Sequence, residues 1–309
     1  MATGALSLGM TELQNLPKFK LAAIDIDGTL LGPDGAISEA NGKAVKRLQQ
    51  AGLQVVLASG RHYQSMLRYA GFFPGVQWLV SSQGGELCDL RRRVVLTSGF
   101  LPRARLHEIV QLGSSLGFSP IAFGVAGVFT TAARNPDLDF YTNLDGHPPI
   151  ECKLEEILRH EIFKVIWVGN PKDVELNLLQ CPVDQAGLQV LRTDARFLEF
   201  MPISVTKAAG LKTLAGRLGI QASETMAFGD GDNDVSMFKW AGLSVAMPHG
   251  WPAAIYSASY TAAPGPAATA LARGIDFLFA HGFLTAPAAY APAPAALATT
   301  TGGPENVLT

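Results

Sequence analysis

Two stretches of the chain alternate short apolar runs with amphipathic helical patterns, and this rhythm constrains the fold more than any single residue. Apolar runs at Leu21 to Ile26, Gln54 to Ala58 and Trp78 to Ser81 are separated by two helical patterns. The first starts near Ser38, with Ala40, Ala44, Leu48 and Ala51 recurring at helical spacing until Gly52; the second covers Tyr63 to Ala70. The rhythm resumes after Pro202, with a helix over Lys207 to Leu218, a strand over Thr225 to Phe228, a helix over Val235 to Ala241 and a strand over Leu243 to Ala246. Neighbouring parallel strands require crossover connections, so this order predicts a parallel sheet covered by helices on both faces. The core is therefore expected to be α/β, doubly wound and Rossmann-like.

Between the two stretches the texture changes. Hairpin-like runs at Glu86 to Asp89 and Val94 to Ser98 precede a helix around Arg105 to Leu116 and strands near Ile121 to Phe123, Val128 to Thr131 and Phe163 to Val168. A helix over Pro171 to Gln180 and strands at Leu188 to Arg192 and Phe197 to Phe200 complete this part. It reads as an inserted α+β domain. The expected division is a discontinuous core over 1–84 and 195–285, a cap over 85–194, and a mobile tail over 286–309 whose Ala, Pro and Thr cannot build much core.

Composition narrows the class of protein. At 309 residues and 48% apolar the chain can bury a full core. With 24 basic against 26 acidic residues it has no global positive field for nucleic acid. Cys88, Cys152 and Cys181 lie far apart and form no C-x-x-C, which speaks against a disulfide framework or a thiolate metal site. There is no basic-then-apolar leader and no apolar run of bilayer length. The expectation is a soluble, cytoplasmic protein with neither nucleic acid nor membrane as partner; its oligomeric state is not encoded in any pattern we can read.

The first strand runs into Asp25-Ile26-Asp27-Gly28-Thr29-Leu30, at the strand end where open α/β sheets bind ligands. Side chains two apart on a strand share a face, so both carboxylates can address one ligand, one attacking as nucleophile and the other handling protons. Alone, such residues are also ordinary turn formers. Ser59-Gly60-Arg61 follows the second strand, where a hydroxyl and backbone N–H groups can cradle a phosphoryl group. Lys207 opens a helix, where a cation can pair with phosphate or sit between carboxylates. Gly229-Asp230-Gly231-Asp232-Asn233-Asp234 follows another strand of the same sheet and offers hard oxygen ligands. A calcium loop is the rival for this last motif, but it needs a glutamate at its twelfth position, where counting from Asp230 gives Ala241 and from Asp232 gives Leu243.

In order and spacing, these four motifs resemble those of the haloacid dehalogenase (HAD) superfamily of phosphatases. The large insert, with Phe163-Lys164-Val165-Ile166 inside it and Phe197-Leu198-Glu199-Phe200 just before Lys207, resembles the Cof-type subgroup. The resemblance spans Phe19 to Phe279. It implies Mg²⁺-dependent hydrolysis of small phosphomonoesters, above all sugar phosphates, through an aspartyl-phosphate. Asp25 would be the nucleophile and Asp27 the acid and base. Asp25, Asp230 and the backbone carbonyl of Asp27 would hold Mg²⁺. The backbone at Ile26, with Ser59, Gly60, Lys207 and Asn233, would hold the phosphoryl group, and Asp234 would support Lys207 or the metal shell. The cap would close over a small phosphorylated metabolite. A phosphosugar mutase using the same paired aspartates is the alternative.

The chain departs from the family pattern at three places: Gln83-Gly84 stands where Asn-Gly is usual, Ala208 where Gly is common, and Pro248-His249-Gly250 where Gly-Asn is usual. The six histidines show no metal-ligand spacing, and only His249 falls near the expected site. Arg91-Arg92-Arg93 reads as a solvated turn of a cap hairpin, and the four tryptophans as scattered packing residues. Arg134, Asn143 and Lys164 are polar cap candidates for contact with substrate.

Overall fold

The computed structural model describes residues 18–285 and the strand Glu305–Val307. In chain order the first strands are β1 (Leu21–Ile24), β2 (Gln54–Ala58), β3 (Trp78–Ser81), β4 (Glu86–Asp89) and β5 (Val94–Thr97). Then come β6 (Ser119–Gly124), β7 (Gly127–Thr130), β8 (Ile150–Glu151), β9 (Ile162–Val168), β10 (Leu188–Asp194) and β11 (Phe197–Pro202). The last are β12 (Thr225–Gly229), β13 (Leu243–Ala246), β14 (Tyr260–Thr261) and β15 (Glu305–Val307). The main helices are α1 (Glu39–Gln50), α2 (Tyr63–Ala70), α3 (Arg103–Ser115), α4 (Pro136–Asp145), α5 (Leu154–Ile157) and α6 (Pro171–Leu179). They continue with α7 (Lys207–Leu218), α8 (Val235–Trp240), α9 (Pro252–Ser257) and α10 (Ala270–Ala280).

One sheet has the order β14-β13-β12-β1-β2-β3-β4-β5-β15, parallel from β14 to β3 and antiparallel beyond. Its strands are apolar on both faces because both are covered. Leu21 and Ala23 of β1 join Val56, Ala58 and Ala227 in a core with Leu211, Leu214 and Phe238 of α7 and α8. Ala22 and Ile24, one residue out of step, join Val55, Leu57 and Phe228 in a second core with Val45, Leu48, Leu271 and Ile275 of α1 and α10. The period of two sends alternate residues to opposite layers. Each fully buried Leu, Ile or Phe stabilises by roughly 1.5–3 kcal/mol relative to exposure.

The second sheet, ordered β10-β11-β9-β6-β7-β8, is antiparallel apart from β7 with β8 and forms the cap. One face packs on α3 and α6 through Ile109, Val110, Trp167, Val174 and Phe200. The other carries Phe123, Phe163, Ile166 and Phe197 against Leu138 and Tyr141 of α4.

Sheet membership moves both expected domain boundaries. The hairpin β4–β5 extends the core sheet rather than opening the cap, so the first boundary falls after Thr97, not at Gly85, and the Arg91–Arg93 turn lies on the core. An antiparallel hairpin adds to a sheet edge without any crossover, so a change of rhythm there did not mark a change of domain. The second boundary falls after Pro202, because β10 and β11 pair with each other and β11 with β9. Gly84 makes the passage from β3 to the hairpin: its φ is +95°, and a Cβ would lie 2.1 Å from the Thr206 carbonyl oxygen at the start of α7. The tail expected to be mobile lies outside the described residues except for β15, which pairs with β5. Among the described residues no helix is long and apolar enough to cross a membrane.

Candidate active site

Strand order reverses between β1 and β12: the chain moves outward through β2 and β3 on one side and through β13 and β14 on the other. The crevice beyond the carboxyl ends at such a switch point is the natural ligand site of an open α/β sheet. Asp25 directly follows β1, and Asp230 directly follows β12. The turn Ile26–Leu30 is pinned from beneath by Asn41, a buried amide on the apolar face of α1. Its Nδ2 donates to the carbonyls of Thr29 (3.4 Å) and Leu30 (3.1 Å), and its Oδ1 accepts from the Ala272 N–H (3.0 Å). Gly28 takes φ +76°, and a Cβ there would sit 2.3 Å from Asp230 Oδ2. Only glycine lets the two loops close to this distance.

Behind this turn lies a buried chain of charge. Lys207 Nζ is 2.5 Å from Asp25 Oδ1 and 2.6 Å from Asp234 Oδ1, and the lysine is fully buried. Burial alone would lower its pKa, but the two carboxylates more than reverse this, so it stays charged. The second oxygen of Asp234 accepts from the N–H groups of Asp230 and Gly231, each at 2.9 Å. Asp230 Oδ1 accepts from Thr29 Oγ1 at 2.9 Å. Burial pushes the Asp25 carboxyl well above its ordinary range, Lys207 pulling it down and Asp234 and Asp230 adding to the rise. Asp230 is pushed up to about 7, again first by burial and then by Asp234.

Asp25, Asp230 and Asp234 each offer a carboxylate oxygen within 4.8 Å of one another. Asp234 is already satisfied on both oxygens, which leaves Asp25 and Asp230 as carboxylates crowded together out of water. Such a pair remains ionised together only with added positive charge, and an all-oxygen donor set suits a hard divalent cation. The residues fit Mg²⁺.

Arg61 and Gln83 close the site from the side. Arg61 donates to both oxygens of Asp27 from Nε (2.8 Å) and Nη2 (2.7 Å), while Nη1 donates to the Leu144 carbonyl at the end of the cap helix α4 (2.5 Å). Gln83 bridges the domains as well: its Oε1 accepts from Asn233 Nδ2 (3.2 Å) and its Nε2 donates to Glu199 Oε2 (3.1 Å). The cap lysine Lys164 reaches down to the Gly60 carbonyl (2.7 Å) and lies 3.2 Å from both oxygens of Glu199.

These groups surround a cavity of about 140 Å³ between core and cap. Asp25, Asp27, Ser59, Gly60, Asp230 and Asn233 line it, so six residues singled out in the sequence converge on one space. Lys207 and Asp234 stand fully buried behind it, and the Ile26 side chain belongs to the core. Of the cap candidates, Lys164 lines the cavity, Asn143 borders a neighbouring cleft, and Arg134 pairs with Asp139 on the surface.

The departures from the family pattern are accommodated: Gln83 makes the bridge just described, the His249 Nε2–H donates to the Gly28 carbonyl at 2.8 Å, and Ala208 is buried in α7. Sequence reading missed Asn41, Tyr141, Asp145 and the placement of Trp251 on the cavity wall. It missed α4 altogether, although Asn135 caps it, Pro136 opens it and Gly146 ends it at φ +90°. Those are ordinary start and stop signals. Asn41 betrays itself as a polar residue on an apolar helix face.

Residues 22–272 match the family model of haloacid dehalogenase-like hydrolases. An HMP-PP phosphatase of Klebsiella pneumoniae is 30% identical over 239 residues, covering 75% of this chain and 85% of that protein. A 5-amino-6-(5-phospho-D-ribitylamino)uracil phosphatase of Bacillus subtilis is 28% identical over 229 residues, covering 74% and 83%. The crystal structure of a haloacid dehalogenase-like hydrolase from Bacteroides thetaiotaomicron superimposes with a TM-score of 0.73 at 26% identity, over 85% of this chain and all of that one. With the motifs gathered at the switch point and the match running through core and cap alike, this chain belongs to the haloacid dehalogenase-like hydrolase family.

Proposed function

We propose that the protein is a Mg²⁺-dependent phosphatase that hydrolyses small phosphomonoesters, sugar phosphates foremost, through an aspartyl-phosphate on Asp25. The observation that carries this reading is the buried Asp25–Lys207–Asp234 chain, with Asp230 beside it, opening into a cavity closed by the cap. A carboxylate held by a lysine at a switch point is aimed and shielded from water, as a nucleophile for phosphorus must be.

In the proposed reaction an oxygen of Asp25 attacks phosphorus while the bond to the leaving alcohol breaks. Asp27, having taken up a proton from solvent once its contact with Arg61 opens, delivers that proton to the leaving oxygen. A water molecule, giving its proton to Asp27, then attacks the same phosphorus; the bond to Asp25 breaks, inorganic phosphate leaves and both carboxyl groups are restored. Ser59, Gly60, Asn233 and Lys207, with the backbone at Ile26, would hold the phosphoryl oxygens, and Asp234 would keep Lys207 in place. Asp25, Asp230 and the Asp27 carbonyl would hold Mg²⁺, whose charge offsets the repulsion between a carboxylate and a phosphate dianion. Arg61, tied to Asp27 and to the Leu144 carbonyl, links proton transfer to closure of the cap.

The names of relatives such as the Klebsiella and Bacillus phosphatases support hydrolysis over transfer within a sugar. The unpaired cysteines suit the reducing cytoplasm. The test is phosphate release from a panel of sugar phosphates, nucleotides and pyridoxal phosphate, with Mg²⁺ and with EDTA, and with Asp25→Asn as control. Metal-dependent release lost in the variant is the expected result. Interconversion of sugar phosphate isomers without release would mean a mutase instead.

A further inference from the structure

The cations that line the cavity, Arg61 and Lys164, and Lys207 behind it are engaged within the protein, while Arg192 stacks on the Trp251 ring outside the lining. Arg61 uses its three nitrogens on Asp27 and the Leu144 carbonyl, Lys164 is held by Glu199 and the Gly60 carbonyl, and Lys207 by Asp25 and Asp234. Beside Leu144, Ile166 and Thr193, what remains on the cap wall is acidic and aromatic: Asp145, Asp194, Phe123, Tyr141 and Phe197.

Asp145 is 5% exposed and belongs to none of the ion pairs among the described residues. Arg61 and His62 feel its charge, but His62 faces Glu86 as Arg61 faces Asp27. It is also the last residue of α4, the end of a helix dipole where a negative charge is unfavourable. One turn earlier, Tyr141 is 3% exposed; its hydroxyl makes no well-formed hydrogen bond and lies beside the Asp145 carboxylate, whose charge, after burial, helps push the phenol upward. A buried polar group without a full set of partners costs about 1–3 kcal/mol, so a carboxylate with no ion pair and a hydroxyl beside it, both on one ligand cavity, can be satisfied by donors that enter it.

We infer that the leaving group selected by this site is a ring-shaped alcohol bearing an amino group, whose N–H donors are received by Asp145 and the Tyr141 hydroxyl, and that a second phosphate or carboxylate on the leaving group is refused. The amine supplies the positive charge and donors that Asp145 lacks, and the ring lies against Phe123 and Phe197. A second anion would meet Asp145 and Asp194 with no unpaired cation among the lining residues to offset them. This inference rests on the phosphatase reading only for which end of the substrate faces Asp25.

Three hexose esters make a matched series: glucosamine 6-phosphate, glucose 6-phosphate and glucose 1,6-bisphosphate. Two readouts separate the claims, namely calorimetric binding to Asp25→Asn in Mg²⁺ and phosphate release by the wild-type enzyme. Glucosamine 6-phosphate should bind at least about tenfold more tightly than the bisphosphate. Adding Asp145→Asn should cut that ratio about tenfold, and Tyr141→Phe should cut it less. Thermal melting shows that each variant is folded, and Asp145→Glu should keep the preference for the amine. Equal binding of the three esters, or a ratio unmoved by Asp145→Asn in a folded protein, overturns the inference. Selective binding without phosphate release upholds it and removes the phosphatase reading; release without selectivity does the reverse.

Discussion

On the core side of the cavity Asp25 and Asp234 are tied to Lys207 and Asp27 to Arg61, whereas on the cap side, beyond the Lys164–Glu199 pair, Asp145 has no ion pair and beside it Tyr141 makes no well-formed hydrogen bond. The difference separates two tasks. A site that must perform the same chemistry on every substrate gains from groups already positioned and compensated, because preorganisation removes the cost of reorienting them during reaction. A wall that must choose among leaving groups gains from polar atoms left for the ligand to satisfy, since a ligand lacking the right partner then leaves them unpaired.

The comparison breaks most sharply at Asp25. Asn has the same shape but is no nucleophile, so phosphate release by Asp25→Asn should fall by about 10³-fold or more while ligand binding in Mg²⁺ persists. Gly28→Ala comes next. Its Cβ would sit 2.3 Å from Asp230 Oδ2 at a backbone φ of +76°, so the two loops must move apart. Steady-state kinetics should show kcat reduced by about 10²-fold, the scale set by an ångström of misplacement, whereas an unchanged kcat would mean the close approach is dispensable. Arg61→Lys probes a charged side chain that joins both walls. Lysine keeps the charge and loses the fork on Asp27, so kcat/KM should drop about tenfold, with a steeper loss for slow-closing, bulky substrates.

The smallest effect lies within the core, where His62 and Glu86 are buried 3.3 Å apart. Burial alone would lower the His62 pKa, but the Glu86 carboxylate outweighs it and the net shift is upward from 6.5. Burial likewise opposes the charged form of Glu86, yet His62 and the hydroxyls of Ser82 and Ser81 bring its pKa below 4.5. The histidine's contribution to stability is therefore complete below pH 6.5 and fades as pH rises through its raised value. The glutamate's is complete above pH 4.5 and fades as pH falls through its lowered value. Melting temperature measured against pH should decline on both sides of that window, and His62→Gln should flatten the alkaline decline.

Much of the core was readable because its signals are local. An unbroken apolar run at Leu21–Ile24, Ser38 before the first helix and Pro202 before the return of the rhythm each act within a few residues. The four motifs were readable because each follows a strand of one sheet, and the rule that ligands bind at strand ends needs only the order of elements. The boundary at Gly85 was misplaced because a hairpin looks the same whether it extends an existing sheet or begins another. Nothing within β4 or β5 says which edge it will join; the pairing of Val80 with Leu87 decides that.

From the sequence alone came the doubly wound core, the inserted cap, and the identity and order of the residues meeting beyond β1, β2 and β12. These are consequences of periodicity, turn chemistry and element order, which a linear chain carries in full. The tertiary structure alone decided that Arg61 holds Asp27 and the Leu144 carbonyl together, that Gln83 spans Asn233 and Glu199, and that Tyr141 and Asp145 lie side by side on the cavity wall without an ion pair. Those contacts join residues from dozens to more than a hundred positions apart, brought together by how the cap sits on the core. Packing of one sheet over another, with its distances and its unfilled hydrogen bonds, has no local signature for a sequence to display.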